Sequence, residues 1–334
     1  MNKVILPLGE PLVQAFNEYG YLFSIIRSKD SLNYKKLIVQ YFTNLFCVPE
    51  EYSEYKHILS FYPDRHERLL RTCPLLESKL YSRSEVINQQ EKLINKIKKY
   101  IDMGYYVTVY VDLYYISCSE SYQKRHINHN IMLYGYQEQE KVLFVIDTFR
   151  SFKFEASQIL YAEFEQAFYN YEQAENKRDN KILVIKFQEQ EINLDTDKLK
   201  EELQKFYLID ENIPYISGCH VYDLLEKGID SKCYLHPQSI KVLCEHINFT
   251  VIRAKLLEEL NVIHINEYLR KQLNELLIKS KHISNLYLKC IVLNEKGVNK
   301  EFRTQVINQM NWIKEIHVEV IQKVVKEMAE KNPG

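Results

Sequence analysis

Two hydrophobic periods alternate along the chain. In "SLNYKKLIVQYFTNLF" (31–46), Leu32, Leu37, Tyr41, Phe42 and Leu45 recur at helical spacing. Asp30 or Ser31 is placed to cap that helix, and Pro49 marks its stop. A second helix is predicted over 84–103, "SEVINQQEKLINKIKKYIDM", with Ser82 or Ser84 as its cap. Lysines crowd its C-terminal half, where the macrodipole favours them, and Gly104 stands where a left-handed cap is wanted. The period then drops to two. "YYVTVYVDLYYI" (105–116), "NIMLYGYQ" (130–137) and "KVLFVIDTF" (141–149) read as strands, followed by a helix over 157–175 and a fourth strand, "KILVIKFQ" (181–188).

From about residue 195 the strand signal disappears. Segments 196–208, 237–260, 266–293 and 301–332 all read as helices, the last keeping Val306, Met310, Ile313, Val320, Val324 and Met328 near one face. The fold class is therefore α+β, with an α+β domain over 1–192 and an α-helical domain over 193–334.

Composition narrows the function. A net charge of −1 gives no field to draw the chain onto nucleic acid or an anionic membrane. No stretch approaches the ~18 apolar residues of a bilayer span, and "MNKVILPLGEPL" is no signal peptide. Seven unpatterned cysteines fit a reduced, cytoplasmic setting with free thiols. The absence of GxGxxG and GxxxxGK[ST] leaves nucleotide cofactors without support. Cys219, His220, Cys233, His236, Cys244 and His246 lack metal-knuckle spacing, and no cofactor or metal is expected.

The candidate chemistry lies in "HINHNIMLYGYQEQEKVLFVIDTF" (126–149), which reads as a hairpin. With the turn centred on Glu138, His129 opposes Asp147 on one face, within reach of an imidazole–carboxylate hydrogen bond. A one-residue slip would separate them. The bland alternative is a strand-end Asp and a capping His. Asp112, inside an apolar strand, needs partners, for which Tyr115, Tyr122 or a substrate ammonium are candidates.

The run Asp112–Tyr114–Tyr115, then His129 with Gly135 and Tyr136, then Asp147, resembles the N-terminal domain of butirosin biosynthesis protein H and its relatives. These are papain-like proteins of antibiotic and peptide natural-product pathways. The closthioamide amide-forming enzyme belongs to the same neighbourhood. The resemblance is specific over about 45 residues. It implies a papain-like domain with an antiparallel sheet and a helical C-terminal portion. It also implies acyl transfer from a carrier-protein thioester, through an enzyme cysteine, to an amine. His129 would be the base, Asp147 its orienter, and Asp112 would line the pocket.

The sequence departs from the family at the nucleophile. A papain-like thiol sits at the start of the first long helix, expected here near "RSKDSLNYKKL", which holds Ser28, Ser31 and Asn33 but no cysteine. Cys118, in the loop returning to His129, is the leading candidate. Ser28 and Ser31 are alternatives at a helix start, and Cys47 beside Pro49 is a third. A chain with no covalent nucleophile would be a catalyst that only aligns thioester and amine, or an inert binder of a carrier protein or peptide. A peptidase has the least support. The basic run "KLINKIKK" is a solvated helix face or a docking face for an acidic carrier protein, and a homodimer is left open.

Overall fold

The computed structural model describes residues 3–29, 32–49, 56–62, 67–87, 92–150, 153–170, 181–208, 215–230, 235–294 and 300–331. Strand β1 (Lys3–Ile5) and helices α1 (Asn17–Arg27) and α2 (Leu32–Gln40) come first. Next are β2 (Phe46–Pro49), β3 (His57–Ser60), α3 (Glu67–Thr72), β4 (Leu76–Ser82), α4 (Arg83–Ile87), α5 (Leu93–Asp102) and β5 (Tyr106–Asp112). Strands β6 (Asn128–Gln137), β7 (Val142–Arg150) and β8 (Lys153–Leu160) follow, then α6 (Tyr161–Tyr169) and β9 (Lys181–Phe187). The remainder is helical: α7 (Thr196–Gln204), α8 (Val221–Asp230), α9 (Ser239–Glu259), α10 (Glu267–Asn294) and α11 (Lys300–Lys331). The class is α+β, with an antiparallel sheet and a helical C-terminal region. The chain divides into two compact units, residues 1–31 with 66–191, and 32–65 with 192–334.

The first unit is built on an antiparallel sheet in the order β4-β9-β5-β6-β7-β8, with β1 added alongside β6. Every residue of β5, "YVTVYVD", is buried, as its β-branched and aromatic run requires. Val107, Val109, Ile131, Leu133, Leu143 and Val145 pack with Ile94, Ile97 and Ile101 of α5 and Phe164 and Phe168 of α6. Arg83, also buried, holds β5 to α6 by bonding the carbonyls of Tyr110 and Phe168 and covering the Phe168 ring. The cap expected after α5 is present. Gly104 has φ +85°, and the Tyr105 amide closes on the Tyr100 carbonyl at 2.9 Å. The Gly135–Tyr136 pair also has a physical reason. A Cβ at Gly135 would lie 2.6 Å from the Val4 carbonyl of β1, and Tyr136 donates to Asp102 at the end of α5.

Four expectations change. The helix begun at residue 32 stops at Gln40, and Phe46–Pro49 is a strand paired with β3, so Cys47 sits in a β-ribbon. Arg253 ends that helix by donating to the carbonyls of Val39, Tyr41 and Phe42, while Phe42 takes φ 58°. The single helix over 84–103 is two, α4 and α5, with 88–91 outside the described residues. The helix expected from 157 begins at Tyr161, because residues 153–160 pair along β7. A free edge at β7 outweighs the helical spacing of that segment. Lastly, the first long helix is α1, which begins at Asn17, ahead of the start expected near "RSKDSLNYKKL".

In the second unit, α11 buries Val306, Met310, Ile313, Val320, Val324 and Met328, with His317 on the same face. His317 meets Tyr222 at 3.0 Å and Thr250 at 3.2 Å, and His246 stacks on Phe206 beside it. Burial, with Arg253 adding to it, lowers His317 to about 3; burial, His317 and Arg253 hold His246 well below its usual value.

Two predictions follow from this packing. A Cβ at Gly20 would lie 2.6 Å from the Phe154 ring of β8, so Gly20→Ala pushes α1 off the sheet. The clash outweighs the helix-propensity gain, for a net loss of about 1–2 kcal/mol in urea unfolding. The buried histidines are neutral in the folded unit and take up protons on unfolding, so stability falls as pH drops below their unfolded value. Between pH 7 and 5, His317 alone accounts for about 2 kcal/mol. Urea midpoints followed by Trp312 fluorescence at the two pH values should show that loss, and His317→Gln should shrink it.

Candidate active site

The hairpin register is shifted from the expected one. Leu133 faces Val145 and Met132 faces Ile146, with a bulge between Leu133 and Gly135. Continued down the strands, this sets Asp147 opposite Ile131, and His129 one diagonal away. The shift is by two residues, so His129 and Asp147 keep the same side of the pleat. A diagonal pair is within reach of a long side chain. His129 Nε2 lies 3.0 Å from Asp147 Oδ2, with Asp147 fully buried and the imidazole partly open.

Helix α1 completes the site. Its first residue is Asn17, and Phe16 precedes it in extended conformation without a side-chain cap. Asn17 Nδ2 lies 2.8 Å from His129 Nε2, and Asn17 Oδ1 accepts from Thr148 Oγ1 at 3.0 Å. Thr148 donates its amide to Asp147 Oδ1 at 2.6 Å. One turn on, Tyr21 donates to the Asn130 carbonyl at 2.8 Å. Burial, then the charges of Asp147 and Glu18, raise the Tyr21 hydroxyl well above its usual value. His129 Nε2 therefore serves two partners. In the hydrogen bond the structure shows, Asn17 Nδ2 donates and Nε2 accepts, so the ring proton is on Nδ1, while Asp147 Oδ2 stands at ion-pair distance. Imidazolium formation favours the carboxylate.

Asp112 has different partners from those expected. Its Oδ1 accepts from the amides of Tyr114 (3.0 Å) and Ile127 (3.1 Å), and Oδ2 meets His126 Nδ1 at 2.6 Å. His126 stacks on Tyr114, ring centres 4.1 Å apart. Asp112 thus clamps both ends of the 113–127 loop. Tyr115 is near its charge, while Tyr122 bonds Gln123.

Among the candidate nucleophiles of the first unit, Cys118 and Ser28 have partners other than His129. The Cys118 thiol is raised by burial, against a hydrogen bond from Ser157 that lowers it, and its carbonyl accepts from Arg150. Cys47 is pushed up to about 11 by burial. Ser28 closes the C-terminal end of α1, donating to the Ile25 carbonyl at 2.7 Å, where the macrodipole opposes an alkoxide. Ser31 lies outside the described residues. The position at a helix N-terminus against the imidazole is held by Asn17. The signal for it was present in "AFNEYGYLFSII": Glu18 in the first turn and Tyr19, Leu22, Phe23 and Ile26 at helical spacing. Among the described residues, no group of three or more His, Cys, Asp or Glu side chains is placed to hold a metal ion, and no helix is long and apolar enough to cross a membrane.

Residues 43–148 match the family model described as butirosin biosynthesis protein H, N-terminal. That stretch carries Asp112, Cys118, His129 and Asp147, while Asn17 lies before it. No curated protein matches the chain. The butirosin-type match thus covers His129 and Asp147 but not the helix that meets them.

Asn17→Cys would put a thiol at the α1 N-terminus beside His129. Its pKa should fall below that of a free cysteine by at least a unit. Alkylation rate against pH, by mass spectrometry, should show this new thiol reacting well below pH 8, with the effect lost in Asn17→Cys/His129→Ala. Cys118 should stay slow in both.

Proposed function

We propose that the chain is a papain-like acyl-transfer catalyst of a natural-product pathway. It forms an amide from a carrier-protein thioester and an amine by direct transfer, without a covalent cysteine intermediate. One observation carries this reading: His129 is backed by the buried carboxylate of Asp147, and the place beside it at the head of α1 is occupied by an amide, Asn17, rather than a thiol. The butirosin-type match supports the biosynthetic setting.

The chemistry balances with these groups. The amine nitrogen attacks the thioester carbonyl carbon while His129 accepts its proton. Asp147 stabilises the resulting imidazolium. The oxyanion faces the positive end of α1, with the Asn17 amide as a further donor. The carbon–sulfur bond then breaks, and the departing thiolate takes the proton back from His129. A backing carboxylate fully removed from water is costly for a protein that merely binds, which favours catalysis over the inert-binder alternative.

The test is single-turnover amide formation from an acyl thioester and a panel of amines, with mass spectrometry of the protein during the reaction. Turnover should fall about 100-fold or more in His129→Ala, persist when Cys118→Ser is made, and leave no acyl-protein adduct. An adduct on any cysteine returns the covalent route. Tight thioester binding with no turnover, in wild type as in His129→Ala, makes the chain a binding protein.

A further inference from the structure

Asp147 and Thr148 are neighbours in β7, and both turn their side chains to the same place. In a regular strand successive side chains point to opposite faces. Here the ladder between β7 and β8 changes register between Asp147 and Arg150. An irregularity of this kind re-aims a side chain. It brings the Thr148 hydroxyl to Asn17 at the head of α1, while Asp147 keeps His129.

The four residues close a ring of contacts. Asp147 Oδ2 lies 3.0 Å from His129 Nε2, and Asn17 Nδ2 donates to the same nitrogen at 2.8 Å. Asn17 Oδ1 accepts from Thr148 Oγ1 at 3.0 Å, and the Thr148 amide returns to Asp147 Oδ1 at 2.6 Å. The hydroxyl has one proton and two acceptors in reach. Asn17 Oδ1 is the nearer; Asp147 Oδ1 stands at 3.4 Å and already holds the Thr148 amide. With that proton on Oδ1, the two ends of the carboxamide are no longer equivalent, and Nδ2 is the end that faces the imidazole. The cap position of α1 is Phe16, which makes no side-chain hydrogen bond, so both polar ends of Asn17 are committed to the site rather than to the helix start.

We infer that Thr148 is a positioning residue, which pins the Asn17 carboxamide with Nδ2 towards the reacting centre. This rests on the acyl-transfer reading above and concerns the same site. When the amine nitrogen attacks the thioester carbon, its proton passes to His129 Nε2 and the carbonyl oxygen takes up the negative charge. The protonated Nε2 donates to Asp147, and Asn17 Nδ2 loses its acceptor. With Oδ1 still held by Thr148, the Nδ2 hydrogens stay on the side of the developing oxyanion and donate to it. Without the pin the carboxamide turns over freely, and its carbonyl oxygen then meets the oxyanion and repels it.

The experiment is steady-state amide formation by the full chain, compared with Thr148→Val, Thr148→Ser, Asn17→Ala and Asn17→Ala/Thr148→Val. Thr148→Val keeps the side-chain shape and removes the hydroxyl, so kcat should fall about tenfold with KM little changed. Thr148→Ser keeps the hydroxyl and should restore most of that loss. In the Asn17→Ala background, Thr148→Val should make no further difference. A second measurement does not depend on turnover. NMR of the chain with isotope-labelled Asn and His, under conditions where the ring is neutral, should show the nitrogen–nitrogen coupling across the Asn17–His129 hydrogen bond in wild type and Thr148→Ser, and its loss in Thr148→Val. Thr148→Ala, read against Thr148→Ser, keeps the test available if Thr148→Val does not fold. A Thr148→Ser defect as large as that of Thr148→Val, an equal loss with and without Asn17, a rise in KM at unchanged kcat, or a coupling that survives Thr148→Val overturns the inference. The reaction fails separately: a coupling that follows the hydroxyl, with no amide formed by any of the proteins, leaves the pin standing and removes the acyl transfer.

Discussion

A carboxylate removed from water has to be answered from within the protein, and Asp147 sets the terms for the whole strand end around it. Its neighbours come from two elements: Thr148 and His129 from the hairpin, and Tyr21 from α1. Each contact has a geometric consequence. The Thr148 amide holds the chain at the bulge that follows Asp147 in β7, and His129 is turned so that one ring nitrogen points inward. Without Asp147 there is little reason for the imidazole to hold this orientation, or for the first turn of α1 to sit where it does.

Helix α1 is the second constraint. It can approach β8 because residue 20 lacks a side chain, and the approach delivers Asn17 to both His129 and Thr148. The positive end of a helix beside a carboxylate-backed imidazole is a place where negative charge on a reacting oxygen is stabilised, whatever group occupies the first helical position. An amide there cannot form a thioester with the acyl group, but it can donate to the oxygen of one. In the proposed reaction this separates acid–base catalysis from covalent capture.

Asp112 and His126 are a second carboxylate–imidazole pair close to the first, and the contrast is instructive. Asp112 is saturated by two loop amides and one ring nitrogen, and the ring is stacked on Tyr114. Its arrangement holds the ends of a loop together. Asp147 and His129 instead meet the N-terminal end of helix α1. Two pairs of the same residue types thus differ in what surrounds them.

Local pattern determined a good deal. The α+β class, the period-two runs of β5, β6, β7 and β9, the αL cap at Gly104 and the buried face of α11 all follow from spacing and side-chain type. So did the parity that keeps His129 and Asp147 together, since a two-residue shift leaves the pleat unchanged. Other features were settled only by contacts distant in sequence. Residues 153–160 are a strand because β7 offers an edge, and α2 ends at Gln40 because Arg253, more than 200 residues away, collects its last carbonyls. Asp112 found its partner in His126 rather than a tyrosine for the same reason. Above all, the pairing of Asn17 with His129 spans 112 positions. Periodicity reports which face of an element is apolar; it carries no information about which residue of a distant helix will stand against an imidazole, and that placement decides what chemistry the site can do.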